Sequence, residues 1–177
     1  MTQGLEAASG VGEEVNVNYW ILQSNPEYFR ILDWLRDFTW LGDKPLLDCW
    51  HISRFKEEVS PGDTVFIWKS KGRSDIRGIY AKGKVEPLPE KFPLEDREAD
   101  YFIGEKGQAE MERLKKLKQL AVRYTILCLD KPLLSDAIEE VPELRGLTIL
   151  KIGQWRPGIH RVAPGQGRII ESLFCIA

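Results

Sequence analysis

Apolar residues in this chain of 177 residues fall into two kinds of block: short continuous runs, and runs spaced by three or four. Residues 19–23 (YWILQ) are aromatic and branched without interruption, the pattern of a strand buried on both faces. Ser24-Asn25-Pro26 ends that run, supplying a capping side chain and then a proline whose fixed φ suits a first helical turn. Phe29, Leu32 and Leu35 recur at helical spacing, so 26–37 is predicted to be an amphipathic helix. Residues 38–48 read as a loop punctuated by Gly42 and Pro45. Residues 51–59 read as a short helix stopped by the turn signal Ser60-Pro61-Gly62-Asp63.

Residues 64–70 (TVFIWKS) predict a second strand, and 76–85 (IRGIYAKGKV) its antiparallel partner across a glycine-containing turn. Gly78 and Gly83 inside that partner mark bulges or close backbone approach. Residues 86–104 are acidic and proline-containing, the pattern of a surface excursion. Residues 105–120 carry good helix formers with Leu114, Leu117 and Leu120 as an apolar stripe. A strand over 122–129, a turn and short helix over 132–141, and a strand over 147–152 follow. A Gly/Pro-rich connection over 153–167 and a closing helix over 168–176 complete the chain. Strands outnumber helices and are interrupted by them irregularly, which predicts an α+β fold around a strongly curved, mostly antiparallel sheet.

Length sharpens this picture to a single domain, at about 150 residues per domain. Residues 1–17 are rich in Gly, Ala and Glu without periodicity and are expected to be a flexible tail, leaving 18–177 as the domain. No apolar run approaches the roughly 18–20 residues of a membrane helix. No basic region precedes an apolar stretch at the N-terminus, so the cytoplasm is the expected location and no membrane partner is expected. Cys49, Cys128 and Cys175 are odd in number and far apart, against a disulfide framework, and no Cys/His spacing suits a structural zinc. Neither a metal nor a cofactor is expected. Without a heptad or an apolar surface stripe, the expected state is a monomer.

Net charge is −2 overall but unevenly placed: residues 67–84 carry +5, residues 145–168 carry +5, and residues 86–112 carry −6. Such a chain is not coated with cations, yet it can present one basic face. Catalytic motifs are missing: there is no phosphate loop, no G-x-G-x-x-G and no G-x-S-x-G. Cys49 and His51 stand two apart, a spacing not expected to aim both groups at one point, and Asp43 and Asp48 are explained by capping and loop solvation. A non-enzymatic protein is therefore expected.

The positive signal is six tryptophans, Trp20, Trp34, Trp40, Trp50, Trp68 and Trp155. Trp34 sits beside a helical apolar stripe and reads as core. Trp40 lies in a predicted loop, Trp50 precedes a polar stretch, and Trp68 is followed by Lys69, Ser70 and Lys71. Indoles beside cations and small polar groups suit recognition of a flipped or single-stranded base. Aromatic faces stack on such a base, hydrogen bonds read its edge, and Lys and Arg hold the phosphates.

The order of motifs resembles the EVE domain family, part of the PUA-like superfamily and related in fold to YTH domains. The opening strand Tyr19-Trp20-Ile21-Leu22-Gln23-Ser24-Asn25-Pro26, the loop Thr39-Trp40-Leu41-Gly42, and the stretch Trp50-His51-Ile52-Ser53-Arg54-Phe55 carry the likeness. So do Pro61-Gly62-Asp63-Thr64-Val65-Phe66-Ile67-Trp68-Lys69-Ser70, Gly78-Ile79-Tyr80-Ala81-Lys82-Gly83-Lys84-Val85, Lys131-Pro132-Leu133 and Gly158-Ile159-His160-Arg161-Val162. The chain departs from the family pattern at Gln23, where Lys is usual, at Trp68-Lys69, where Tyr-His is usual, and in its longer Trp40–Trp50 loop. The Trp50 and Trp68 variants look more like domains associated with modification-dependent restriction.

The resemblance implies a PUA-like curved sheet or pseudo-barrel flanked by helices. It implies binding of nucleic acid, DNA before RNA, with a pocket for a modified base such as methylated cytosine or adenine. Ser24 and Asn25 would line the pocket floor, Trp40 would be the leading cage wall, and Trp50 and Trp68 second walls. Lys69, Lys71, Arg73 and Arg54 would meet phosphates, with Arg156 and Arg161 as a second patch. A nuclease or restriction subunit is a further candidate partner. A small-molecule or nucleoside binder using the same pocket is the alternative.

Overall fold

The computed structural model describes residues 17–38, 47–92, 95–151 and 158–174. The fold is α+β, with a mixed, curled sheet running β2-β5-β4-β3-β1-β7 and helices on both sides. Its strands are β1 (Tyr19–Ser24), β2 (Leu47–Ile52), β3 (Thr64–Lys69), β4 (Gly78–Glu86), β5 (Lys118–Leu127), the two-residue β6 (Leu133–Leu134) and β7 (Gly158–Val162). β6 pairs with the start of β4, off the main path. Among the described residues only the β1–β3 pairing is parallel.

β1 and β3 are neighbouring interior strands of the sheet, and every residue of both is buried. Alternation along a strand sends neighbouring side chains to opposite faces. Trp20, Leu22, Val65 and Ile67 enter one core, with Trp34 and Leu35 from α1 (Ile31–Phe38) and Val122 and Tyr124 from β5. Tyr19, Ile21, Phe66 and Trp68 enter the other. Ile138 joins them there from α4 (Ser135–Glu139), Ile149 from α5 (Thr148–Lys151), and Ile170 and Phe174 from α6 (Pro164–Phe174). The remaining helices, α2 (Glu95–Glu98) and α3 (Gly104–Leu114), lie between β4 and β5 in the chain. Among the described residues no helix is long and apolar enough to cross a membrane.

The predicted strands at 19–23, 64–70 and 76–85 form as expected; elsewhere backbone pairing overrides local pattern. The helix predicted from Pro26 begins only at Ile31. The Asn25 carbonyl accepts from the Tyr28 and Phe29 amides, and Phe29 bridges to Phe102, so one turn is spent before the helix can start. The helix predicted over 51–59 is replaced by the end of β2, whose Trp50, His51 and Ile52 pair with Leu120, Gln119 and Lys118. A single turn closed on the Phe55 carbonyl follows. The helix predicted over 105–120 stops at Leu114, because Lys118 onward is the only strand between β2 and β4. Residues 148–151 turn as α5 where a strand was predicted, and 158–162 within the predicted connection form β7 against β1. The closing helix starts at Pro164, a residue suited to a first helical position. The acidic excursion over 86–104 is only partly superficial, since Phe92 and Phe102 are buried.

Gly78 and Gly83 sit where expected. The β3–β4 register shifts between Ile67 and Trp68, and the β4–β5 register shifts at Gly83. A Cβ on Gly78 would lie 2.5 Å from the Leu133 carbonyl oxygen, a backbone atom of β6 that cannot swing aside. Gly165, by contrast, has open space around a built Cβ. Gly78→Ala is therefore expected to cost about 1–3 kcal/mol through overpacking. Gly165→Ala, in the first turn of α6, should be neutral or slightly stabilising. Urea unfolding of the two variants side by side checks this.

Candidate nucleic-acid interface

A cavity opens beside the first core, at the C-terminal end of β1. Gln23 and Ser24 come from that strand end, Tyr28, Phe29 and Ile31 from the turn before α1, and Trp34 from α1 itself. β2 supplies Asp48, Cys49, Trp50 and His51, and α3 supplies Glu110, Arg113 and Leu114. The non-atom space within its lining, open mouth included, is about 670 Å³.

Two indoles and one carboxylate dominate it. The Trp34 indole N–H lies 3.2 Å from each Asp48 oxygen. The Trp50 N–H donates to Asp48 Oδ2 at 3.1 Å and reaches the Tyr124 hydroxyl at 2.9 Å. Tyr124 donates its own hydroxyl to Oδ2, and the Cys49 amide donates to Oδ1 at 2.8 Å. Aromatic edges back the Trp34 ring, with Tyr101 at 5.0 Å and Phe29 at 6.0 Å between centroids. Burial raises the Asp48 carboxyl and the bonds from Tyr124, Trp34, the Cys49 amide and Trp50 oppose it, leaving it at about 6. Burial, then the Asp48 charge, raises the Tyr124 phenol well above its usual range.

A second polar group supports the cavity's edge. Gln23 is buried, donates from Nε2 to Ser70 Oγ at 2.8 Å, and receives His160 Nε2 on its Oε1 at 2.8 Å. Burial, with Arg54 nearby, lowers His160 to about 4, so it stays neutral near pH 7.

Beside this cavity lies a groove lined by Pro26, Glu27, Lys69, Lys71, Arg73, Ser74, Ile103, Glu105 and Lys106. The Ile103 amide bonds the Tyr28 carbonyl at 2.9 Å, so the wall between groove and cavity is a pinned contact of two loops. Lys71 and Arg73 lie in the β3–β4 turn, with the Arg73 side chain exposed.

The predicted site residues are sorted by these facts. Ser24 and Trp50 line the cavity as expected. Asn25 is a turn residue: its Oδ1 accepts from the Glu27 amide at 2.9 Å, and it does not line the cavity. Trp68 is 1% exposed in the second core, on the sheet face away from the cavity, because alternation along β3 sends it there with Phe66. Lys69 is also drawn inward. Its Nζ donates to the carbonyls of Ile76 (2.7 Å) and Ser70 (3.3 Å) and to Ser74 Oγ (3.3 Å), and burial lowers its pKa, so it ties the hairpin turn together. Arg54 donates to the Ile159 carbonyl at 3.3 Å. Arg161 lies over the Trp20 and Phe55 rings and pairs with Glu58; both arginines are exposed and neither lines the groove. Trp40 and Arg156 lie outside the described residues.

Trp34, read from sequence as core, is buried in the first core and also lines the cavity; Asp48, read as a solvated loop residue, is instead buried beside it. Cys49 Sγ lies 3.9 Å from His51 Nε2, so the two do converge. Alternate residues share a face once 47–52 is a strand rather than the loop and helix predicted.

A family model for the EVE domain matches residues 18–173. The chain belongs to the EVE domain family. Solved structures agree in fold while differing widely in sequence. A hypothetical protein from Leishmania major aligns at TM-score 0.58 and 18% identity, covering 91% of this chain and 96% of that one. The human THYN1 protein in complex with 5-methylcytosine-containing DNA aligns at 0.57 and 13%, covering 88% and 96%. A Pseudomonas syringae protein aligns at 0.54 and 20%, covering 88% and 98%. No curated protein matches the sequence.

Two buried groups of this EVE domain oppose each other in their effect on stability. Asp48 titrates near 3.8 when unfolded and about 6 when folded, so the folded state binds more protons between those values. Its contribution to stability is present at low pH and is lost as pH rises from about 4 to about 6. His160 titrates near 6.5 unfolded and about 4 folded, so its contribution is lost as pH falls from about 6.5 to about 4. Asp48→Asn is expected to leave stability rising with pH across this window, and His160→Gln to leave it falling. Urea midpoints at pH 4.5 and 6.5 test both; identical slopes in wild type and variants would contradict the assigned burial.

Proposed function

We propose that this EVE domain is a non-enzymatic reader of nucleic acid that takes one modified base, with methylated cytosine the first candidate, into the cavity between β1, α1 and β2. The carrying observation is the pair of indoles, Trp34 and Trp50, held on one buried carboxylate beside an open cavity. The human THYN1 protein, a structural neighbour solved with 5-methylcytosine-containing DNA, supports the choice of base. Aromatic walls suit this ligand. A methyl group offers nothing to charge, but enclosing it adds dispersion contacts and removes apolar area from water, worth about 0.8 kcal/mol by transfer alone. Stacking on an indole contributes about 1–3 kcal/mol per base.

On this reading Lys71, Arg73 and Lys106, in the groove beside the cavity, meet the backbone phosphates. Ser24 and Gln23 offer polar contact at the floor. Lys69 and Trp68 serve the scaffold instead.

Equilibrium binding to matched oligonucleotides, single- and double-stranded, unmodified or carrying 5-methylcytosine or N6-methyladenine, tests the reading at two salt concentrations. Preference for one modified base is expected. Trp50→Ala should weaken it about 5–100-fold, the equivalent of one lost stacking contact. Lys71→Ala combined with Arg73→Ala should weaken all oligonucleotides alike and reduce the salt slope by about 2. Binding of free nucleosides with no dependence on salt or strand length would replace this reading with that of a small-molecule binder.

A further inference from the structure

We propose that Asp48 is the positioning residue of this cavity: by accepting from both Trp34 and Trp50, its one carboxylate fixes the angle between the two aromatic walls and so sets the preference for a methylated base. The inference rests on reading the cavity as a base pocket.

The two indoles come from different elements, α1 and β2, and Asp48 is a partner they share. An indole with one N–H has one handle on its roll about the side-chain torsions, and tying both handles to one group fixes the walls relative to each other. The carboxylate is itself held from two further directions. Tyr124, on β5, donates its hydroxyl to Oδ2, and the Cys49 amide donates to Oδ1 at 2.8 Å. Four donors thus converge on Asp48: two indole N–H groups, one phenol and one amide. An ionised carboxylate offers about four acceptor sites and no donor, so the count matches. An amide in the same place has one acceptor oxygen and an NH₂ group that would face donors. A hydrocarbon of the same size would fill the space without orienting anything. A carboxylate buried in an apolar wall is costly, and burial does raise the Asp48 carboxyl. Cheap packing therefore does not account for an Asp here, whereas the demand for four acceptor sites does.

Wild type, Asp48→Asn and Tyr124→Phe are compared on oligonucleotides with and without 5-methylcytosine. In parallel, the indole N–H resonances are followed by NMR with hydrogen exchange. Asp48→Asn is expected to bring the ratio of dissociation constants, unmethylated over methylated, close to one. Two of the six indole N–H signals should lose exchange protection. Tyr124→Phe keeps the ring and removes one anchor, so it should lower the ratio part-way; it carries the test if Asp48→Asn does not fold. An unchanged ratio in a folded Asp48→Asn or Tyr124→Phe protein overturns the positioning role and leaves the base-pocket reading standing. A wild-type ratio of one overturns both, whatever the indole spectra show.

Discussion

The parallel β1–β3 pair must bury both of its faces, and the rest of the molecule follows from that demand. A parallel pair needs a long crossover, so α1 and β2 are inserted between the two strands. The two faces then need separate covers. Trp20, Leu22, Val65 and Ile67 are covered by α1 with β5, and Tyr19, Ile21, Phe66 and Trp68 by α4–α6. The cavity lies where the first cover ends, at the C-terminal tip of β1. There the strand has no more apolar side chains to offer and presents Gln23 and Ser24. Each polar group at that tip needs a buried partner, which is why Ser70 and His160 converge on Gln23.

The same rule explains the carboxylates. Asp63 accepts from the Trp20 indole at 2.8 Å, the Ser60 amide at 3.0 Å and the Asn18 side chain at 3.2 Å, closing the start of β1 and β3. Asp48 does the equivalent at the cavity. One acid ties an indole of the core, and the other ties two indoles of a wall. An aromatic residue with a polar handle is thereby oriented as well as packed. Lys69 is the cationic counterpart. Its ammonium is withdrawn from solvent to hold three oxygens of the turn that carries Lys71 and Arg73.

Much of the framework was legible in the sequence because continuous apolar runs and turn residues are local signals. The strand at 19–23, the 64–70 and 76–85 pair, and the roles of Gly78 and Gly83 could be read directly. What could not be read was set by pairing across distance. Residues 47–52 look like loop and helix until β5 is placed beside them, and with that misreading went the shared face of Asp48 and Trp50. Trp68 followed the opposite course. Its basic neighbours suggested a surface site, but strand alternation sends it into the second core. Trp34 is core, as its spacing predicts, so composition gave no cue that its ring also edges a cavity. Asp48 carried only a weak signal, an acid two residues from a tryptophan. That becomes informative only once the segment is known to be a strand, where such residues share a face.

On the proposed reading, charge divides the work between cavity and groove. The cavity holds Asp48 and Glu110, and Glu110 engages Arg113 through two bonds of 2.6 and 2.8 Å. That guanidinium is committed to a carboxylate within hydrogen-bond reach, and a phosphate entering the cavity would meet the Asp48 charge in a poorly hydrated wall. Repulsion there is stronger than it would be in water. The groove offers the reverse, with Lys71, Arg73 and Lys106 against Glu27 and Glu105 on an open surface. A nucleotide is therefore sorted by its own parts, the neutral base toward the indoles and the anionic backbone toward the lysines and arginine. The Tyr28–Ile103 contact fixes the spacing between the two. Selectivity for a methyl group, worth about 0.8 kcal/mol by transfer, is small against the attraction of several phosphates. It can govern binding only if backbone contacts are the same for every sequence and the aromatic walls do not yield. A loose pair of indoles would close equally well on a bare base. Rigidity of the walls, more than their area, is therefore the quantity on which discrimination turns.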